Sequence, residues 1–213
     1  MKRVFIAGIK GNMGKRYTAI LRSLNIDYVG CDPYDNEAIK EGMKVSDGVI
    51  IATPTCTHID LLREFMHYGK PILCEKPFTT NIVELMKFHA ESTEYHNLIS
   101  MVNQYALLWH RDSEGETFYN YFKTGNDGLA YDCVNLIGQA RGKVEVLDDS
   151  PIWMCQINGQ KLHLSDIDMS YISMILSWTK GMFKNYDYAI QAHAAVEKYI
   201  TNGSNDLRSG AVH

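Results

Sequence analysis

Residues 49–77 run VIIATPTCTHIDLLREFMHYGKPILCEKP, two short apolar runs separated by one amphipathic stretch, and no other feature restricts the fold as much. Gly48 to Ala52 is a strand of continuous Val-Ile-Ile. His58 to Tyr68 carries apolar residues at helical spacing, Gly69-Lys70-Pro71 stops that helix, and Pro71 to Cys74 is strand again. Glu75-Lys76-Pro77 follows directly, which puts a lysine at the mouth of a sheet.

The same alternation fills the first half of the chain. Arg3 to Ala7 is a buried strand, Met13 to Leu24 a helix, and Ile26 to Cys31 a strand closed by Asp32-Pro33. Asn36 to Gly42 forms a short helix, Asn81 to Ser92 an amphipathic one, and Leu98 to Val102 a final strand. Strands and helices in this order predict a parallel sheet with helices on both faces. Beyond Asn103 the pattern changes. An aromatic-rich stretch from Thr117 to Phe122 reads as helical, with a second helix near Gly128 to Ile137. Strand-like segments follow at Lys143 to Leu147, Trp153 to Ile157 and Lys161 to Leu164, the last two joined by a two-residue Asn158-Gly159 hairpin. Helices over Ile167 to Thr179 and Asp187 to Ile200 precede a polar tail. No internal repeat or low-complexity segment interrupts the order.

Of the 213 residues, 46% are hydrophobic and 22% charged, enough to bury a core without metals or disulfides. A formal charge of -4 with no basic cluster argues against nucleic acid as a partner, because phosphate binding needs concentrated Lys and Arg. Cys31, Cys56, Cys74, Cys133 and Cys155 are scattered singly and odd in number, the pattern of reduced thiols in a cytoplasmic protein. The apolar run in MKRVFIAGIKGNMG is broken at Gly8 and Lys10, and nothing approaches the ~18 apolar residues of a membrane span. No export signal, membrane anchor or membrane partner is expected.

Gly8-Ile9-Lys10-Gly11-Asn12-Met13-Gly14 lies between the first strand and first helix, where a dinucleotide's pyrophosphate would meet free N–H groups and the positive end of a helix. The spacing is G-x-x-G-x-x-G rather than G-x-G-x-x-G, since position 9 is isoleucine. Asp32 ends the second strand, where a carboxylate accepts hydrogen bonds from adenosine ribose hydroxyls and repels a 2′-phosphate, which favours NAD over NADP. The bland alternative is a tight turn and a carboxylate capping a strand end.

Thr53, Pro54 and Thr55 end the third strand and would face the cofactor, and Thr57-x-x-Asp60 has the form of a capping box for the next helix. His58 in that helix's first turn either touches cofactor or caps. Lys76 reaches either a substrate oxygen or a nicotinamide ribose, or is a solvated lysine beside a turn proline. His67, His89, His96, His110, His163 and His193 form no metal-binding pair, so no metal is expected. His110 is a loop histidine with the option of serving as a proton relay. Phe118, Tyr119, Tyr121 and Phe122 line either a sugar site or a core or interface.

Through VFIAGIKGNMG, VIIATPTCTH, GKPILCEKP and MVNQY, residues 1 to about 105 resemble the glucose-fructose oxidoreductase and inositol dehydrogenase family (Gfo/Idh/MocA). GLAYDCVNLI and GKVEVLDD continue the resemblance into the second half. It implies an NAD(P)-dependent oxidoreductase acting on a sugar, cyclitol or nucleotide-linked sugar, with the lysine of E-K-P near nicotinamide and substrate, so Lys76 inherits that role. The cofactor set becomes Gly8, Lys10, Gly11, Asn12, Met13, Gly14, Asp32, Thr53, Pro54, Thr55, His58, Glu75, Lys76, Pro77 and, from MVNQY, Gln104. Asp132 and Asn135 fall where the family carries an aspartate and a histidine near the substrate. Asn135 cannot exchange a proton near neutral pH as imidazole does, and the pair either shares a face toward the site or forms a polar helix surface.

The expected molecule is α/β: a Rossmann doubly wound parallel sheet over residues 1–103, then a small, truncated α+β domain with an antiparallel sheet over 104–200, its last helix able to pack back on the first domain. Residues 201–213 form a flexible tail. The expected function is NAD-dependent hydride transfer to or from a sugar-like small molecule. The alternative is a non-catalytic or regulatory dinucleotide-binding protein that has lost its proton relay. A homo-oligomer, a dimer formed through the antiparallel sheet, would cover the reduced sheet's edges.

Overall fold

The computed structural model describes residues 1–32, 35–104, 118–122, 144–148, 154–157, 160–161 and 164–202. Two compact units are distinguished: Met1–Val102 with Met174–Ala189, and Asn103–Ser173 with Ile190–His213.

In the first unit the order is β1 (Arg3–Ala7), α1 (Asn12–Ser23), β2 (Asp27–Cys31), α2 (Asn36–Val45), β3 (Gly48–Ile51), α3 (His58–Met66), β4 (Ile72–Cys74), α4 (Ile82–Glu91) and β5 (Ile99–Met101). These strands form one sheet in the order β2-β1-β3-β4-β5, parallel throughout. The central strands carry helices on both faces, which is why they read as unbroken apolar runs. Val4 to Ala7, Val49 to Ile51 and Ile72 to Cys74 are all at most 1% exposed. α1 buries Gly14, Tyr17, Ile20 and Leu21, a stripe at helical spacing, and Phe5 meets Phe65 of α3 edge-on at 6.1 Å.

Two later elements complete this unit. The end of α5 (Leu164–Thr179) and the start of α6 (Tyr186–Asn202) belong to it together with the turn between them. Asn185 donates through Nδ2 to the Met101 carbonyl and accepts through Oδ1 from the Met101 N–H, both at 2.9 Å, so a side-chain amide pairs the edge strand β5 where a sixth strand would. Ser100 donates to the Phe183 carbonyl and the chain's amino terminus to that of Thr179.

The second unit holds β6 (Phe118–Phe122), β7 (Val144–Asp148), β8 (Met154–Ile157) and β9 (Gln160–Lys161), in the order β7-β6-β8-β9. Two sequence expectations are corrected here. The aromatic stretch Phe118 to Phe122 is a strand, not a helix: Phe and Tyr fit a pleated surface with neighbours on both sides, and that tertiary opportunity outweighs apparent helical spacing. The sheet is mixed, not antiparallel. β6 pairs antiparallel with β8 but parallel with β7, as a connection spanning residues 123–143 allows and a tight turn would not. β8 and β9 are antiparallel with Ile157 opposite Gln160, the two-residue connection expected from Asn158-Gly159. The helix expected near Gly128 to Ile137, His110, His163 and residues 203–213 of the tail lie outside the described residues, whereas Thr201 and Asn202, expected in the tail, continue the backbone hydrogen-bonding of α6 as its last two residues.

Candidate functional site

From β1 the chain passes to β2 on one side and later to β3 on the other, so the connections leave β1 and β3 in opposite directions. A crevice opens at the carboxyl ends of strands around such a reversal. Four loops from the sequence analysis lie at that rim: residues 8–14 after β1, Asp32 after β2, 52–57 after β3 and 75–77 after β4.

The glycine loop is tight. Gly8 has φ +85°, a conformation that side chains other than glycine rarely adopt. Its N–H donates to the Cys31 carbonyl at 2.8 Å and its carbonyl accepts from the Gly11 N–H at 3.1 Å. A Cβ on Gly8 would lie 2.6 Å from the Ala52 carbonyl oxygen, and one on Gly14 would run into the Gly8 carbonyl, so the β1 and β3 loops touch backbone to backbone. α1 starts from Gly11 with no side-chain cap and no acidic residue in its first turn. Its first N–H groups, at Asn12, Met13 and Gly14, therefore receive no side-chain cap, the arrangement of an anion-ready helix terminus.

Beside this terminus stands Asp32. Its Oδ2 lies 2.7 Å from Lys10 Nζ, with the lysine side chain 81% exposed and the aspartate 41%. The hydrogen bond from the Lys10 ammonium holds the Asp32 carboxyl below its ordinary range, outweighing partial burial, with help from the Lys10 backbone N–H. The same pairing raises Lys10. An uncapped helix start, a loop too close for side chains, and a carboxylate at the β2 end together fit a dinucleotide's pyrophosphate and adenosine ribose.

The β3 and β4 loops are joined by His58. It is 1% exposed, with Nδ1 2.7 Å from the Pro77 carbonyl oxygen and Nε2 2.8 Å from that of Thr53. Both ring nitrogens are engaged by protein. Its ring nitrogens tie the two rim loops together rather than cap α3. The Thr57 capping box is also corrected. Thr57 precedes α3 without a side-chain cap, and its hydroxyl meets Thr53 Oγ1 at 2.7 Å and the Pro54 carbonyl at 2.8 Å. The hydroxyl is turned back toward the β3 loop, not forward onto the helix N–H groups. Pro54 is exposed at the rim, Thr55 is half-buried and Thr53 buried.

Glu75 is 7% exposed and takes a hydrogen bond from the hydroxyl of the fully buried Tyr17 on α1. Its other oxygen accepts from the Lys76 backbone N–H at 3.2 Å. Glu75 thus anchors the loop from below, while half-buried Lys76 stands beside the cis peptide bond to Pro77. Tyr17 is the contributor the sequence reading missed. Its signal was its place three residues after Gly14, on the same helix face. Gln104 lies three residues past β5 in the second unit, and Asp132 and Asn135 fall outside the described residues. Among the described residues no group of three His, Cys, Asp or Glu is arranged to hold a metal ion, and no helix is long and apolar enough to cross a membrane.

Residues 2–104 match the profile of the oxidoreductase family with an NAD-binding Rossmann fold. An inositol 2-dehydrogenase of Rhizobium meliloti is 46% identical over 48 residues, 22% of this chain and 14% of that protein. The rhizopine catabolism protein MocA of Rhizobium meliloti is 49% identical over 41 residues, 19% of this chain and 13% of that protein. The matched segments thus span about one seventh of these relatives' length. A myo-inositol dehydrogenase structure from Corynebacterium glutamicum aligns with TM-score 0.73 at 13% identity, covering 94% of this chain and 96% of that one. The WlbA dehydrogenase of Thermus thermophilus, solved with NAD and UDP-GlcNAcA, aligns with TM-score 0.69 at 12% identity, covering 93% and 94%. At these identities the structural likeness is one of fold.

Proposed function

The chain belongs, through residues 2–104, to the Gfo/Idh/MocA oxidoreductase family with its NAD-binding Rossmann fold, and from that premise we propose that it transfers a hydride between NAD and a sugar, cyclitol or nucleotide-sugar-like substrate. The observation that carries this reading is the convergence, at one rim of the sheet, of the uncapped α1 terminus, Asp32 and Glu75-Lys76-Pro77. NAD, when bound, supplies the hydride acceptor or donor. The chain's own residues do the rest. The N–H groups of Asn12, Met13 and Gly14 bind the pyrophosphate, and Asp32 accepts from the adenosine ribose. Thr53, Pro54 and Thr55 wall the crevice beside them. Glu75, fixed by Tyr17, and His58, fixed between Thr53 and Pro77, hold the loop that carries Lys76. Lys76 polarises the reacting oxygen, or exchanges a proton with it, through its ammonium.

The substrate class rests on the inositol dehydrogenase and nucleotide-sugar relatives, and Gln104, Asp132 and Asn135 are assigned to the substrate and cofactor face on the family resemblance. The second reading, a dinucleotide-binding protein without turnover, is favoured by Asn135 standing where the family carries histidine. Calorimetry with NAD+, followed by a turnover screen over polyols and keto-sugars, separates the two. Under the first reading Lys76→Ala lowers turnover by about 10²-fold or more while NAD+ still binds. NAD+ uptake with no Lys76-dependent turnover supports the second reading, and no uptake at all overturns both.

A further inference from the structure

We infer that Lys10 relaxes the preference for NAD over NADP, by neutralising the carboxylate that would otherwise turn the phosphorylated nucleotide away. This rests on the rim being a dinucleotide site. A carboxylate at the end of β2 repels a 2′-phosphate only while it stands as a single negative charge. Asp32 does not stand that way: its Oδ2 is 2.7 Å from the Lys10 ammonium. The pairing is built into the loop. Gly8 N–H and Ile9 N–H both donate to the Cys31 carbonyl, at 2.8 and 3.4 Å, so the segment carrying Lys10 is pinned against the last residue before Asp32. With its side chain 81% exposed, Lys10 loses little hydration by turning its ammonium from carboxylate to phosphate.

A ribose hydroxyl therefore meets a carboxylate already paired with the Lys10 ammonium through Oδ2. A 2′-phosphate meets a nearly neutral pair that includes an exposed ammonium. NAD+ and NADP+ are both accepted. The preference for NAD+, read from Asp32 alone in the sequence, is narrowed by a residue of the glycine loop two positions before α1 begins at Asn12.

Calorimetric titration of the full chain with NAD+ and NADP+ tests this in the wild type, Lys10→Ala, Asp32→Asn and the double variant. The wild type is expected to bind the two within about tenfold of each other, and Lys10→Ala to widen the ratio against NADP+ by about tenfold. Asp32→Asn frees the ammonium for the phosphate, so NADP+ tightens, and adding Lys10→Ala removes that gain. Competition by 2′,5′-ADP follows the NADP+ order. A ratio unchanged within about twofold in Lys10→Ala, with NAD+ still bound, overturns the role of Lys10 and leaves the dinucleotide site standing. Failure of the wild type to take up either nucleotide overturns both.

Discussion

At the scale of single residues, the rim is defined by groups whose polar atoms are already engaged. Tyr17, His58 and Glu75 meet protein partners below the surface, whereas the first N–H groups of α1 have no side-chain cap. The cysteines divide in the same way. Cys74 is fully buried, and burial first, then the charge of Glu75, raises its thiol well above the ordinary value. Cys31 is pushed up to about 11 by burial first, then by Asp35 and Asp32. Cys56 is exposed in the β3 loop. Alkylation needs the thiolate, so a raised pKa keeps the reactive form scarce until pH climbs toward it. A short iodoacetamide pulse at pH 8, read by peptide mapping, is expected to mark Cys56 and spare Cys31 and Cys74. Raising the pH to 9 should leave Cys31 far from saturation. Comparable labelling of all three would contradict the burial described for β2 and β4.

At the scale of elements, the edge of the parallel sheet is closed by a side chain. β5 has β4 on one side only, and Asn185 supplies the donor and acceptor on the other. Removing the amide leaves a backbone N–H and carbonyl without partners, and Asn185→Ala is expected to cost about 1–3 kcal/mol. Asn185→Asp keeps the acceptor but sets a carboxylate oxygen against the Met101 carbonyl, so it too should lower the midpoint in a urea unfolding series. Identical midpoints for all three proteins would show that the contact adds nothing. A second device closes α2. Lys70, just before β4, donates to the carbonyls of Met43 and Ser46 at the helix's carboxyl end, where a cation complements the helix dipole. Both contacts were out of reach of local sequence patterns, because each joins residues far apart in the chain.

At the scale of the whole molecule, the proposed function couples ligand uptake to stability, because a nucleotide held by four separate loops would bind the folded chain and not the unfolded one. NAD+ at a hundred times its Kd is expected to stabilise the fold by about 2.7 kcal/mol, read as a rise in melting temperature that saturates with concentration. An unchanged melting temperature at millimolar NAD+ would contradict a site made from the ends of several strands. What the sequence determined by itself was the parallel sheet of the first half, the glycine loop after β1 and the Lys76 loop after β4. Each is written in local chemistry: unbroken apolar runs for strands buried on two faces, helical spacing between them, and glycines where no Cβ fits. The aromatic run Phe118 to Phe122 was misread because five residues hold too little periodicity to separate strand from helix, and a pairing partner decides between them. Only the tertiary structure decided that Tyr17 meets Glu75, that His58 spans two loops, that Asn185 finishes the sheet and that Lys10 answers Asp32. A hydrogen bond or ion pair between distant residues leaves no period in the sequence, and it exists only once the sheet has brought its partners to the same rim.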